Sequence, residues 1–131
     1  MQRDWLVYGT GPRRARQDRI YATLNRKGLI LLNRMAFEEL GRPQAVEVLL
    51  DKRNSTVGLR PTDRDLAHAY PIRRLSSSFG LMCKQFCTEY GIRFDTTVQF
   101  PTARIEHGVL ILELKYRVPA TRTRRPGKPA S

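Results

Sequence analysis

The two halves of the chain follow the same order of strands, turns and helix at an offset of 50 residues. Aligned without gaps, the matching pairs include Leu31-Leu32 with Leu81-Met82, Arg34 with Lys84, Glu39 with Glu89, Gly41 with Gly91 and Val48 with Val98. Each half has two strand signals, a helix of barely two turns and two more strand signals, which indicates an internal duplication of a β-β-α-β-β unit. Chance similarity between two small β-rich halves is the alternative. Because so short a helix is stable only when it docks on a sheet, the pattern predicts a mainly β fold with two short helices.

The local signals are clearest in the first unit. Asn33 is a good helix N-cap, and Gly41 with Pro43 just beyond it marks the end of the helix. The residues between Asn25 and Gly28 predict a turn. The predicted strands of this unit are 19–24, 29–32, 45–50 and 55–60, and the last strand of the second unit is predicted at 109–114.

Composition shifts divide the chain into five segments. Glycine, proline and arginine cluster near both ends, which predicts extended basic ends around a folded centre. The predicted segments are a basic arm with a short apolar patch at 1–18, a first repeat at 19–61, a linker at 62–69, a second repeat at 70–116 and a disordered basic tail at 117–131.

Positive charge is concentrated at the two ends of the chain. The formal net charge is +12, with five arginines against two aspartates in residues 1–19 and six basic residues without an acid in residues 115–131. Arginine without acidic partners is typical of proteins that bind a polyanion, because each contact with a phosphate releases condensed counterions. Solubility in an arginine-rich proteome is the alternative explanation.

Several other classes of protein are disfavoured. The longest strongly apolar run, 29–32, is too short to span a bilayer, and the N-terminal apolar patch is too short for a signal peptide. Two cysteines are not a disulfide framework. We therefore expect a cytoplasmic protein without a membrane partner.

Enzymatic and metal-binding constellations are also weak. Cys83, Cys87, His68 and His107 include the residue types of a zinc site, but the histidines do not stand at ligand spacing from the cysteines. No nucleophile elbow and no clustered acids are visible, and the sequence Gly9-Thr10-Gly11-Pro12 lacks the glycine-lysine-serine/threonine ending of a phosphate loop. We expect no enzymatic activity, no metal and no cofactor.

Residues 26–41 resemble the core motif of the SpoVT/AbrB-like swapped-hairpin transcription factors. That motif runs from two basic residues and a glycine, through alternating apolar positions, to a Leu-Gly pair. The residues in register here are Arg26-Lys27-Gly28, Ile30, Leu32, Ala36 and Leu40-Gly41. The chain departs from the motif with Asn33 in place of proline, Phe37 in place of arginine, and Leu29 and Leu31 at positions more often polar.

The resemblance implies an interlaced fold and a DNA-binding function. Family members pair two such units, from two chains or from tandem halves, into one pseudo-twofold barrel, and basic residues at the strand-loop ends face the major groove. The tandem arrangement expected here is the MraZ type. Phe37 and the extra apolar strand residues suggest packing against a second copy of the unit.

The residues themselves suggest the same contacts. Gly28 allows a tight turn that projects Arg26 and Lys27 beyond the apolar strand that follows. A merely solvated turn is the alternative. The candidate nucleic-acid contacts are Arg26, Lys27, Arg34, Arg73, Arg74, Lys84, Arg13, Arg14, Arg16, Arg124 and Arg125.

The predicted function is duplex DNA binding by a prokaryotic or phage transcriptional regulator associated with the nucleoid. A homodimer would match palindromic half-sites. Two alternatives remain open, namely an RNA-binding or ribosome-associated protein, and a protein-interaction module such as an antitoxin or a phage inhibitor of a host factor.

Overall fold

A computed structural model describes residues 19–120. The predicted arm at 1–18 and the arginines at 13, 14, 16, 124 and 125 lie outside the described residues. The first half contains strands β1 (Ala22–Leu24) and β2 (Leu29–Leu32), helix α1 (Arg34–Glu39), and strands β3 (Ala45–Asp51) and β4 (Thr56–Thr62). The second half contains β5 (Tyr70–Pro71), β6 (Arg73–Arg74), β7 (Phe79–Met82), α2 (Lys84–Glu89), β8 (Val98–Gln99), β9 (Arg104–Glu106), β10 (Val109–Glu113), a 3₁₀ turn (Leu114–Tyr116) and β11 (Val118–Pro119).

The strands form two sheets. One has the order β11-β8-β1-β2-β7-β6, and the other has the order β5-β3-β4-β10-β9. The prediction of a mainly β fold with two short helices is therefore confirmed. The sheets do not close into one hydrogen-bonded barrel within residues 19–120, because each sheet keeps two edge strands.

The central elements of the two halves have the same lengths and the same spacing. β2 and β7 are both four residues long and begin 50 residues apart, and α1 and α2 are both six residues long with the same offset. A glycine with positive φ follows each helix, at Gly41 and Gly91. The local fold thus recurs at the spacing of the sequence alignment.

Strand pairing joins the halves reciprocally. The strands that directly precede the two helices pair with each other, β2 with β7, and β4 pairs with β10. The first strand of each half pairs with the strand that follows the helix of the other half, because β1 pairs with β8 and β5 pairs with β3. Each half therefore depends on the other to complete both sheets.

One apolar core lies between these interlaced halves. Its fully buried side chains come from both units and include Leu32, Leu59, Leu81, Leu110 and Leu112. Short helices are stabilised mainly by such burial, and Ala36 in α1 and Phe86 in α2 face this core. The two halves consequently share one core.

Several predicted boundaries differ from the structure. The first strand begins at Ala22 rather than residue 19, β4 extends through Thr62 into the predicted linker, and the last predicted strand ends at Glu113 rather than residue 114. The predicted disordered tail is wrong at its start, because Val118–Pro119 pairs with β8. The extension of β4 through Thr62 and the strand Val118–Pro119 are fixed by their pairing with β3 and β8, which local propensity does not reveal.

Asn33 ties the start of α1 to the chain before β1. Its side-chain oxygen accepts hydrogen bonds from the Ala36 N–H at 2.9 Å and the Tyr21 N–H at 3.1 Å. Its side-chain nitrogen donates to the Arg19 carbonyl at 2.7 Å. Asn33 therefore suits this position better than the proline of the family motif, which could make none of these side-chain bonds.

The first prediction concerns this cap. Asn33→Ala should lower the free energy of unfolding by about 1–2 kcal/mol, because it removes the cap and leaves backbone N–H groups without their acceptor. Asn33→Asp keeps the acceptor and loses only the donor, so it should fall between Asn33→Ala and the natural protein. Urea unfolding at fixed pH measures both variants, and a natural stability for Asn33→Ala would refute the role of the cap.

Candidate nucleic-acid interface

The turn between β1 and β2 projects Arg26 and Lys27 into solvent. The Asn25 N–H donates to the Leu29 carbonyl at 3.0 Å, and the Gly28 N–H donates to the Asn25 carbonyl at 3.1 Å. The Asn25 side chain accepts from the Lys27 and Leu29 N–H groups at 2.9 Å and 3.0 Å. Gly28 has φ of 90°, a conformation that glycine adopts without strain. The backbone of the turn is thus held at several points, while both basic side chains are exposed.

Gly28 also fixes the turn against the second half of the chain. Its carbonyl accepts a hydrogen bond from the Cys83 N–H at 2.7 Å. A Cβ at Gly28 would lie 2.6 Å from the Lys84 Cα, so only glycine allows this approach. The contact places Arg26 and Lys27 beside Lys84, the first residue of α2.

A cleft of about 380 Å³ opens between this turn and α2. Four cationic residues line it, namely Arg26, Lys27, Lys84 and Arg93. Within residues 19–120 no carboxylate lies within ion-pair distance of any of the four. One acid, Asp95, also lines the cleft. The arrangement is an exposed cationic surface free to accept an anion.

The wall of the cleft is partly apolar. Cys87, Ile92 and Phe94 contribute to it, and the Arg117 guanidinium lies 4.5 Å from the centre of the Phe94 ring. Such a cation–π contact holds the segment that carries Arg93 and Phe94 against the segment around Arg117. Arg117 therefore belongs to the folded part, although the tail was predicted to begin there.

Arg93 is a member of the cluster that sequence reasoning missed. It follows the helix stop at Gly91 by two residues, where the first unit has Pro43. The gapless alignment offers no hint that this position faces the turn at 26–28. Only its location after the helix end, near Lys84, could have suggested it.

The opposite end of the β2–β7 pair carries the second set of predicted contacts. Arg73 and Arg74 are exposed on the edge strand β6, and the Arg74 guanidinium lies 5.8 Å from the centre of the Phe79 ring. That ring stacks on Phe37 of α1 with centroids 3.8 Å apart. Phe37, which suggested packing against a second copy of the unit, thus contacts the second half of the same chain.

The turn at this second end is neutral and shorter. The Leu75 N–H donates to the Ser78 carbonyl at 2.8 Å, which leaves a two-residue loop of Ser76 and Ser77. Arg34 on α1 lies 3.9 Å from the Glu38 carboxylate. Because β2 and β7 are antiparallel and four residues long, the two ends are separated by about 13 Å of strand.

The two cysteines serve the core. Cys83 and Cys87 are buried free thiols, and burial raises the pKa of Cys83 to about 12 and also raises the pKa of Cys87. Both thiols are therefore protonated at neutral pH and poor nucleophiles. In the described part of the chain no three His, Cys, Asp or Glu side chains come together as a metal site.

Comparisons with known proteins give no independent indication of function. No protein-family model, curated protein or solved structure matches the chain. Between residues 19 and 120 no helix has the length and apolar character needed to cross a membrane.

The second prediction tests how the cationic turn is positioned. Gly28→Ala should cost at least about 3 kcal/mol of stability, because it adds both left-handed backbone strain and a collision with Lys84. Gly41→Ala is the matched control, since Gly41 has φ of 95° and nothing within 4 Å of an added Cβ. It should cost only about 1 kcal/mol. Equal losses in thermal or urea unfolding would contradict the close contact of Gly28 with α2.

Proposed function

We propose that this chain binds duplex DNA as a prokaryotic or phage transcriptional regulator of the swapped-hairpin, AbrB-like type, associated with the nucleoid in the cytoplasm. The observation that carries the proposal is the cluster of Arg26, Lys27, Lys84 and Arg93 around one cleft. These cations come from both halves of the chain, and no acid neutralises them at ion-pair distance within the described residues.

The strand pairing supports the family part of the proposal. In swapped-hairpin proteins each unit completes its sheets with strands of the other unit. Here β1 pairs with β8 and β5 pairs with β3, while β2 and β4 pair with their counterparts β7 and β10. Residues 26–41, which resemble the family motif, form the turn, the second strand and the helix of the first unit.

The geometry suits contacts to the phosphate backbone and to base edges. Arg26 and Lys27 stand on a turn whose backbone is held by hydrogen bonds, so the backbone loses little conformational entropy when the two side chains meet phosphates. Arginine can also donate two hydrogen bonds to the O6 and N7 atoms of guanine in the major groove. Arg34, Arg73 and Arg74 at the opposite end offer further contacts about 13 Å away along the strands.

The basic sequences at the two ends of the chain would add to this attraction. Residues 1–19 and 115–131 are rich in arginine and poor in acids. Charges of this kind raise the rate of encounter and make binding strongly dependent on salt. Such charges raise the affinity for any duplex, whatever its sequence. The turn and helix that form the cationic cleft, in contrast, are held in a defined geometry.

The third prediction removes the charge of the turn. The double variant Arg26→Ala, Lys27→Ala should weaken duplex binding and reduce the slope of log K against log salt by about 2, because two phosphate contacts are lost. The measurement is a mobility-shift titration at several salt concentrations. Thermal stability should stay nearly natural, because both side chains are exposed.

The control removes the same charge from a different turn. Lys52 and Arg53 lie in the exposed turn between β3 and β4 and do not line the cleft. The double variant Lys52→Ala, Arg53→Ala should change the salt slope much less. If both double variants bind like the natural protein, the cationic turn is not the DNA contact. Preference for structured RNA over duplex DNA in a competition at matched salt would favour the RNA-binding alternative.

A further inference from the structure

The helices at the two ends of the β2–β7 pair differ in charge at the position four residues after their first, basic residue. In α1 the residue four positions after Arg34 is Glu38, whereas in α2 the residue four positions after Lys84 is Thr88. Residues four apart on a helix lie on the same face and can interact. The same place in the repeat thus carries an acid at one end and a neutral hydroxyl at the other.

Glu38 partly neutralises the cations at its own end. Its carboxylate oxygen lies 3.1 Å from Arg42 Nη2 and 3.9 Å from Arg34 Nε. A phosphate that approaches either guanidinium meets the negative charge of Glu38 and must displace it or tolerate its repulsion. Two of the basic side chains at this end are therefore already engaged within helix α1 and the residues just after it.

Thr88 leaves the other end open. It lines the cationic cleft together with Lys84, and neither Lys84 nor Arg93 has an ion-pair partner in the described part of the chain. The turns add to the difference, since Arg26-Lys27-Gly28 faces this cleft while Ser76 and Ser77 form the loop at the other end. A phosphate can bind here without breaking an internal ion pair.

We propose that the domain binds its nucleic acid unequally, with the end formed by the 26–28 turn and α2 as the principal phosphate contact and Glu38 weakening the opposite end. The proposal rests on the proposed function and adds a preferred orientation of the domain on the nucleic acid. A pseudo-twofold backbone would then sit on a duplex in one preferred orientation, because its two ends differ in available charge. Glu38 and Thr88 contribute to this choice together with the charged turn at 26–28.

The fourth prediction changes these two positions separately. Thr88→Glu places an acid four residues after Lys84, so it should weaken duplex binding several-fold and reduce the salt slope by about 1. Glu38→Gln frees Arg34 and Arg42, so it should strengthen binding and steepen the salt slope by about 1. Both are measured by mobility shift over a salt series on the full-length chain, with thermal unfolding as the check on folding.

Glu39→Gln is the matched control for Glu38→Gln. Glu39 is the next residue of the same helix, is also exposed, and makes no ion pair within the described residues, so the substitution changes the net charge equally. The proposal requires a larger gain for Glu38→Gln than for Glu39→Gln. Equal gains, or an unchanged salt slope in a folded Thr88→Glu variant, would overturn it.

The outcomes separate this proposal from the proposed function. Failure of the natural protein to bind any duplex would end both. A second outcome is that the natural protein binds duplex DNA and the Arg26 and Lys27 double variant binds much more weakly, while Glu38→Gln and Glu39→Gln behave alike. This result would refute the unequal contact and leave the proposed function standing. If Thr88→Glu does not fold, the comparison of the two glutamate variants decides alone.

Discussion

The antiparallel pairing of β2 with β7 is the contact on which both ends of the candidate site depend. It places Leu29 opposite Met82 and Leu32 opposite Phe79, within a six-stranded sheet. In this register the first hairpin turn arrives beside the start of α2, where the Gly28 carbonyl accepts the Cys83 N–H. One half of the chain alone could not bring Lys27 to Lys84.

The backbones of the two units resemble each other more closely than their side chains do. The apolar strand positions and the helix stops recur because both units bury the same face in one core. The polar positions are free of that constraint, so Arg26 and Lys27 correspond to Ser76 and Ser77, and Thr88 corresponds to Glu38. A backbone with reciprocal pairing can therefore carry a site whose charge is asymmetric, since function resides in the residues placed on a fold.

Prediction from sequence succeeded where the signal is local. The helix between Asn33 and Gly41 and the strand Leu29–Leu32 are marked by a cap, a stop and an apolar run. Prediction was less accurate where the bounds of a strand depend on a pairing partner distant in sequence. Ile72 separates β5 from β6, which lie in different sheets, and β11 exists because β8 is available to pair with it. Such pairings depend on tertiary context more than on propensity.

The amino-acid sequence alone determined the short helices, the strand periodicity and the excess of positive charge, because each follows from neighbouring residues or from composition. It also identified Arg26, Lys27 and Lys84 one by one as candidates. Only the tertiary structure decided that these three meet Arg93 around one cleft, while Arg34 lies at the opposite end beside Glu38. The physical reason is the strand register, which brings residues from different halves of the chain together and which no local pattern encodes.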